Sequence, residues 1–280
     1  MTTQSILRLA TSIFFVPVVF FICMHNESDA AAVVFNDGLT TSVSTDIRPD
    51  FIQVLDSPDG DPTTVEIDPG AFVGTDEDSD TSFNVSDNSI GKISGGEIEN
   101  DVEADGNAQI DIYGGIMHDD VEAFGAGTIN IYGGTVRDDV EAFGAGTINI
   151  YGGEVVEDVE AFANGVINIF GGDLNTDPVS ELHSGLASEQ NGMITLYGWD
   201  FAVNGSGVVE GPIALLSGTI SGTLQDGNGF STIFVQQTPG NIRVEVVPEP
   251  SSIALLGFGA VGLIGYSWRR RKQCVRTLID

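Results

Sequence analysis

The chain has 280 residues and a formal charge of −31, from 41 acidic and 10 basic side chains. Five of the bases (Arg269, Arg270, Arg271, Lys272 and Arg276) sit at the extreme C-terminus, so the stretch Val33 to Pro250 holds 38 acids against four bases, a net −34. Such acidity excludes nucleic-acid binding, which needs Lys and Arg on phosphate, and disfavours adsorption to anionic lipid; a hydrophobic content of 41% excludes a disordered acidic chain, and the 36 glycines follow no collagen period.

Residues 1–32 read as a secretory signal. Arg8 gives a weakly basic start, Leu9 to Met24 is an apolar run of 16 residues, and Ala30-Ala31-Ala32 offers the small residues that a signal peptidase selects. The run is short for a bilayer-spanning helix, so cleavage near Ala32 is expected rather than permanent anchoring. The two cysteines, Cys23 and Cys274, both lie outside the acidic body, which therefore has neither a disulfide nor a thiolate metal site.

Residues 33–94 contain strand-like runs (Val33 to Phe35, Thr64 to Ile67, Ser82 to Val85) between turn clusters, and are expected to form an N-terminal cap and irregular rungs. Residues 95–199 are a repeat. Gly-Gly recurs at 95, 114, 133, 152 and 171, always at an interval of 19. A unit this short and strict is one supersecondary element stacked on its neighbours. It lacks the leucine spacing of a leucine-rich repeat and the nonapeptide of a calcium β-roll. Three short strands per unit fit it, which predicts an all-β fold: a single-stranded parallel β-helix with 19-residue rungs, right-handed as the commoner coils are.

Alternation decides which side chains face inward. In Asp120-Val121-Glu122-Ala123 the acids cannot be buried unpaired, so Val121 and Ala123 point in. In Ile129-Asn130-Ile131-Tyr132 the isoleucines point in, and Asn130 and Tyr132 point out. Ile98, Met117, Val136, Val155 and Leu174 hold one further apolar position of each unit. The last unit, ending at Tyr197, has 27 residues and so contains an insertion of eight. Residues 200–246 alternate again, over Ile220 to Leu224, Ile233 to Val235 and Ile242 to Val246, and are expected to be closing rungs. The repeats resemble those of secreted planctomycete-type β-helical proteins with rungs of the form INIYGG, a resemblance that implies no activity.

The C-terminus is an address. Val247-Pro248-Glu249-Pro250 is followed by Ser251 to Trp268, 18 residues without charge, and then by Arg269, Arg270, Arg271 and Lys272. As a helix, 251–268 spans about 27 Å, enough for a membrane core. The basic cluster stays cytoplasmic, as does the tail 273–280, and the acidic body lies outside. Pro-Glu-Pro, a short apolar helix and an arginine cluster, over 247–272, resemble the bacterial PEP-CTERM sorting signal. That resemblance implies recognition and cleavage by an exosortase, a membrane cysteine protease. It further implies export, tethering through the helix before processing, a final place at the cell surface or outside it, and association with exopolysaccharide and matrix.

Three outward patterns carry candidate chemistry. Asp101, Asp120, Asp139 and Asp158 form one file, and Glu103, Glu122, Glu141 and Glu160 the next. Their clustering fits a Ca2+-binding face or simply a solvated acidic one; no other cofactor is indicated. Tyr113, Tyr132, Tyr151 and Phe170 form an aromatic file beside Asn130, Asn149 and Asn168, which fits glycan binding or stacking that only stabilises the coil. A third file, Phe124, Phe143 and Phe162, sits where the strand is expected to end, with the rings tucked against the next rung. The repeats offer no Ser-His-Asp, Cys-His or phosphate loop, and His118 and Arg137 share one variable outward position. An active site, if present, belongs to the insertion, around Asp177, Glu181, His183 and Glu189. The expected function is a non-enzymatic structural or adhesive surface protein; the alternative is a β-helical carbohydrate-active enzyme, a lyase or a glycosidase.

Overall fold

A computed structural model of the chain describes residues 32–48, 51–74, 81–174 and 185–249. Residues 1–31 of the signal segment, the acidic run 76–80, Asp177, Glu181 and His183 of the insertion, the apolar segment 251–268, and Pro250 with the arginine cluster all lie outside the described residues.

Each repeat folds into three short strands, typified by Ile116–Met117, Val121–Ala123 and Thr128–Ile131. Their apolar residues alternate with polar ones, so each strand buries one side: Val121, Ala123 and Ile129 are 0% exposed while Glu122 and Asn130 are half-buried. No strand this short is stable alone. Each pairs in parallel with its counterpart in the next repeat, Met117 on Val136, Val121 on Val140 and Ile129 on Ile148. Hydrogen-bonded neighbours across these ladders are 19 positions apart, so every residue lies beside its own copy. Three ladders result: a carboxylate face through Asp101–Ala104, an amide face through Gln109–Ile112, and a narrow face through Glu97–Ile98. The whole is a long, mostly parallel sheet consistent with a β-helix, enclosing one column of Val, Ile, Ala and Phe side chains.

Close rung spacing dictates glycine at the corners. A Cβ on Gly146 would stand 2.2 Å from the Ala123 carbonyl oxygen of the preceding rung, and Gly134 takes φ +97°.

The ladders continue upstream in parallel, with longer connections between rungs and a register shift between Thr81 and Phe83 where Thr81–Val85 meets Asp101–Ala104. Ala32–Phe35 pairs with Phe51–Val54, which pairs with Thr81–Val85 on the carboxylate face. Thr40–Val43, Thr64–Ile67 and Ile90–Ile93 extend the amide face. The three strand-like runs expected there are strands, and Thr40–Val43, Phe51–Val54 and Phe72–Val73 join them.

The downstream expectation of closing rungs needs one correction. Gly229–Gln236 and Ile242–Val246 do rejoin the carboxylate and amide ladders in parallel. Ser217–Leu224, however, runs antiparallel to both Met193–Val203 and Gly229–Gln236. The reason is the connection. Asp226-Gly227-Asn228 makes a tight turn, with Gly227 at φ +99° and the Leu224 N–H donating to the Asn228 carbonyl, and a parallel return needs a crossover far longer than that. This strand ties the two ladders together at the C-terminal end.

Candidate functional site

On the carboxylate face the files predicted from sequence come together. Carboxylate oxygens lie within 4.8 Å of one another in the groups Asp101–Glu103–Glu122, Asp120–Glu122–Glu141 and Asp139–Glu141–Glu160. Asp119 and Asp138 join two further groups, with Asp101 and Asp120 and with Asp120 and Asp139. These two were not singled out from sequence; the Asp-Asp doublet before Val-Glu-Ala in two of the four repeats was their only signal.

The aspartate file has a structural task. One oxygen of Asp120 accepts the backbone N–H of Asp139 at 2.9 Å, Asp139 accepts that of Asp158 at 2.7 Å, and Asp101 accepts that of Asp120 at 3.3 Å. Asp158 does the same for Gly185. Each aspartate thus ties its rung to the next at a corner where the ladder bonds lapse. The glutamates lack such donors within the repeats; only Glu103, at the upstream end, receives Thr81 and Asn84 at 2.7 Å.

Crowding moves the protons. Partial burial, with the charges of Asp119 and Asp120, raises the Asp101 carboxyl to about 7. Burial and the Asp101 charge raise Glu122 to about 7. Glu141 rises to about 8 from burial and the Asp120 charge, and Glu160 to about 8 from burial and Asp139. Asp138 reaches about 7 from burial and the Asp120 charge. Asp120 is held to about 6, because the Asp139 N–H bond offsets part of its burial. Near neutrality Glu122, Glu141 and Glu160 are therefore partly protonated, and neighbouring glutamates among them share hydrogen bonds. Chemically this is a row of hard oxygen donors that a divalent cation would occupy by displacing protons.

The amide face behaves differently. Asn168 donates to Asn149 and Asn149 to Asn130, each at 2.9 Å, and Asn130 donates to the Asp111 carboxylate at 2.8 Å, which also accepts the Gln109 amide. Beside it Tyr113, Tyr132, Tyr151 and Phe170 stack at 5.1, 5.0 and 4.9 Å between ring centroids. Tyr197 extends the stack at 4.3 Å, although the insertion places it beyond the regular period. Because the rings cover one another's faces, solvent meets ring edges and phenol hydroxyls, a strip of hydrogen-bonding groups rather than open aromatic platforms. Phe124, Phe143 and Phe162 also stack, at 5.0 and 4.8 Å, half-buried where the carboxylate strands end. On the narrow face His118 bridges Arg137 and Glu97, at 3.3 Å to each. Glu189 lies on an exposed turn.

Residues 246–272 match the family model of the PEP-CTERM protein-sorting motif. The chain carries a PEP-CTERM sorting motif. Such a motif marks a protein for export and for processing by an exosortase, a membrane protease, with a destination at the surface or outside the cell. The match begins at Val246, the last residue of the final strand Ile242–Val246, so the motif follows the coil with no linker. Val246, Val247, Pro248 and Glu249 are the part of it within the described residues. No helix among the described residues is long and apolar enough to cross a membrane. No curated protein and no solved structure matches the chain, and the planctomycete-type resemblance of the repeats rests on their sequence alone.

Proposed function

We propose that this protein is an exported, non-enzymatic structural or adhesive component of the cell surface or extracellular matrix, presented as an acidic, right-handed β-helical rod with 19-residue rungs. The observation that carries the reading is the sorting motif placed directly after the last strand. In this account the signal is removed near Ala32, and the segment 251–268 tethers the chain in the membrane with Arg269, Arg270 and Arg271 inside. Exosortase then cuts near Pro248 to Pro250 and releases the coil. Exopolysaccharide is the expected partner. The strip of Asn amides and tyrosine hydroxyls faces solvent and fits a hydroxyl-rich polymer, and the carboxylate face holds Ca2+ that bridges to acidic glycan.

Mass spectrometry of the surface fraction tests the sorting. The account expects new ends near Ala32 and Pro250, and loss of the surface form in a strain lacking the exosortase. An intact arginine cluster on surface protein, or unchanged display without exosortase, overturns it. The cation face is tested by melting: millimolar Ca2+ raises Tm more than NaCl of equal ionic strength does, whereas equal rises reduce the effect to screening. The rival reading, a polysaccharide lyase or glycosidase, is favoured only by the acids and His183 of the insertion. It predicts depolymerisation of a glycan that Glu181→Ala or His183→Ala abolishes.

A further inference from the structure

The two ends of the coil are finished differently. At the C-terminal end Ser217–Leu224 lies antiparallel between the ladders, and Gly211–Pro212 pairs with Ile242–Val246. At the N-terminal end the first rung consists of Ala32–Phe35, Thr40–Val43 and the Ile47 bridge. Among the described residues, each of these pairs only with the rung that follows. Along Ala32–Phe35 the inward side chains are incompletely covered: Val33 and Phe35 are half-buried, whereas Ile52 and Val54, their partners in the next rung, are 0% exposed; Val43 of the neighbouring strand is buried. Outward, Val34 is 46% and Leu39 50% exposed. Natural sheet edges are blunted by charge, proline or a bulge, and neither first-rung strand has any of these.

Charge permits contact at this end. Residues 32–48 hold Asp37, Asp46 and Arg48, a net −1, in a body whose total is −34. The C-terminal end is as weakly charged, with only Asp226 and Arg243 over 211–244, but Ser217–Leu224 covers it; the first rung is the weakly charged end whose edge is open among the described residues.

We propose that this end is an interface with a second copy of the chain, first rung against first rung. Two identical edges meet about a twofold axis, strand antiparallel to strand, and the two apolar columns become continuous. Because the other end of each coil is covered, growth stops at two; the symmetry closes rather than propagating into a fibre. The inference is independent of what the faces of the rod bind.

Sedimentation velocity and small-angle scattering of the exported protein, with its N-terminus fixed by mass spectrometry, test this. The expected species has twice the chain mass and nearly twice the monomer's longest dimension, and it tightens with NaCl as repulsion between the bodies is screened. Val34→Asp with Ser42→Asp, both at exposed positions, places like charges across the twofold. It raises the dissociation constant tenfold or more with little change in Tm. Leu216→Asp, at the covered end, leaves the dimer intact. Four results overturn the proposal: a monomer at every concentration and salt, including one in which residues 1–31 remain and occupy the edge; growth beyond two copies; a dimer indifferent to the double substitution; or a dimer broken by Leu216→Asp.

Discussion

The carboxylate face and the amide face are built on parallel ladders of the same kind, share the same apolar column and repeat at the same interval, yet they stand in opposite relation to their own copies. In a parallel coil with a strict repeat, each side chain is packed against itself. Asparagine is its own partner, with an amide N–H to give and a carbonyl to receive, and the file closes on Asp111 as a terminal acceptor. Aromatic rings are likewise self-complementary when stacked. A carboxylate is not. Asp offsets part of the crowding by accepting a backbone N–H from the next rung, which holds Asp120 to about 6, whereas Glu141, without that bond, is raised to about 8 and keeps a proton that it would release in water. A side chain's contribution here depends less on its polarity than on its affinity for itself.

That difference can be broken or sharpened by substitution. The largest effect falls on what the faces share. Ile148→Ala, at a side chain wholly buried in the column, is expected to cost about 2–5 kcal/mol in chemical denaturation, and it does so without changing the proton balance of the carboxylate face. Next comes Asn149→Asp. The carboxylate so introduced still accepts from Asn168 but cannot donate to Asn130; a loss of about 1–3 kcal/mol is expected at pH 7. The reverse exchange of acid for amide on the other face has the opposite sign. Glu141→Gln removes a group that burial and Asp120 make costly to ionise. At pH 8 it is expected to stabilise by about 1 kcal/mol once solvent screening is allowed for, or ~2–4 °C in Tm. If both exchanges destabilise equally, self-affinity is not what distinguishes the faces.

Much of this was legible in the residues. Acids flanking Val121 and Ala123 force those two inward, and the period alone places Asp120 beside Asp139 and Tyr132 beside Tyr151. What escaped has physical causes. Alternation is blind to strand direction, so Ser217–Leu224 reads the same whether it pairs parallel or antiparallel; only its short turn decides. The binding of each ladder aspartate to the next rung's N–H depends on the corner geometry, which spacing does not reveal. Tyr197 closes the lengthened unit, and it is the parallel register of Ile169 on Leu196 across the insertion that returns it to the stack.

The most direct test is the dependence of Tm on pH, for the natural chain and for one carrying Glu122→Gln, Glu141→Gln and Glu160→Gln. Carboxyls raised to between about 6 and about 8, from ordinary values of 3.8 and 4.5, keep more protons in the folded chain than in the unfolded one. Their contribution is therefore present in full below about pH 4 and is lost as pH rises through about 8. The account predicts a Tm that falls between pH 5 and pH 8.5, by clearly less in the triple variant; a flat or rising Tm, or an equal fall in both chains, would contradict it.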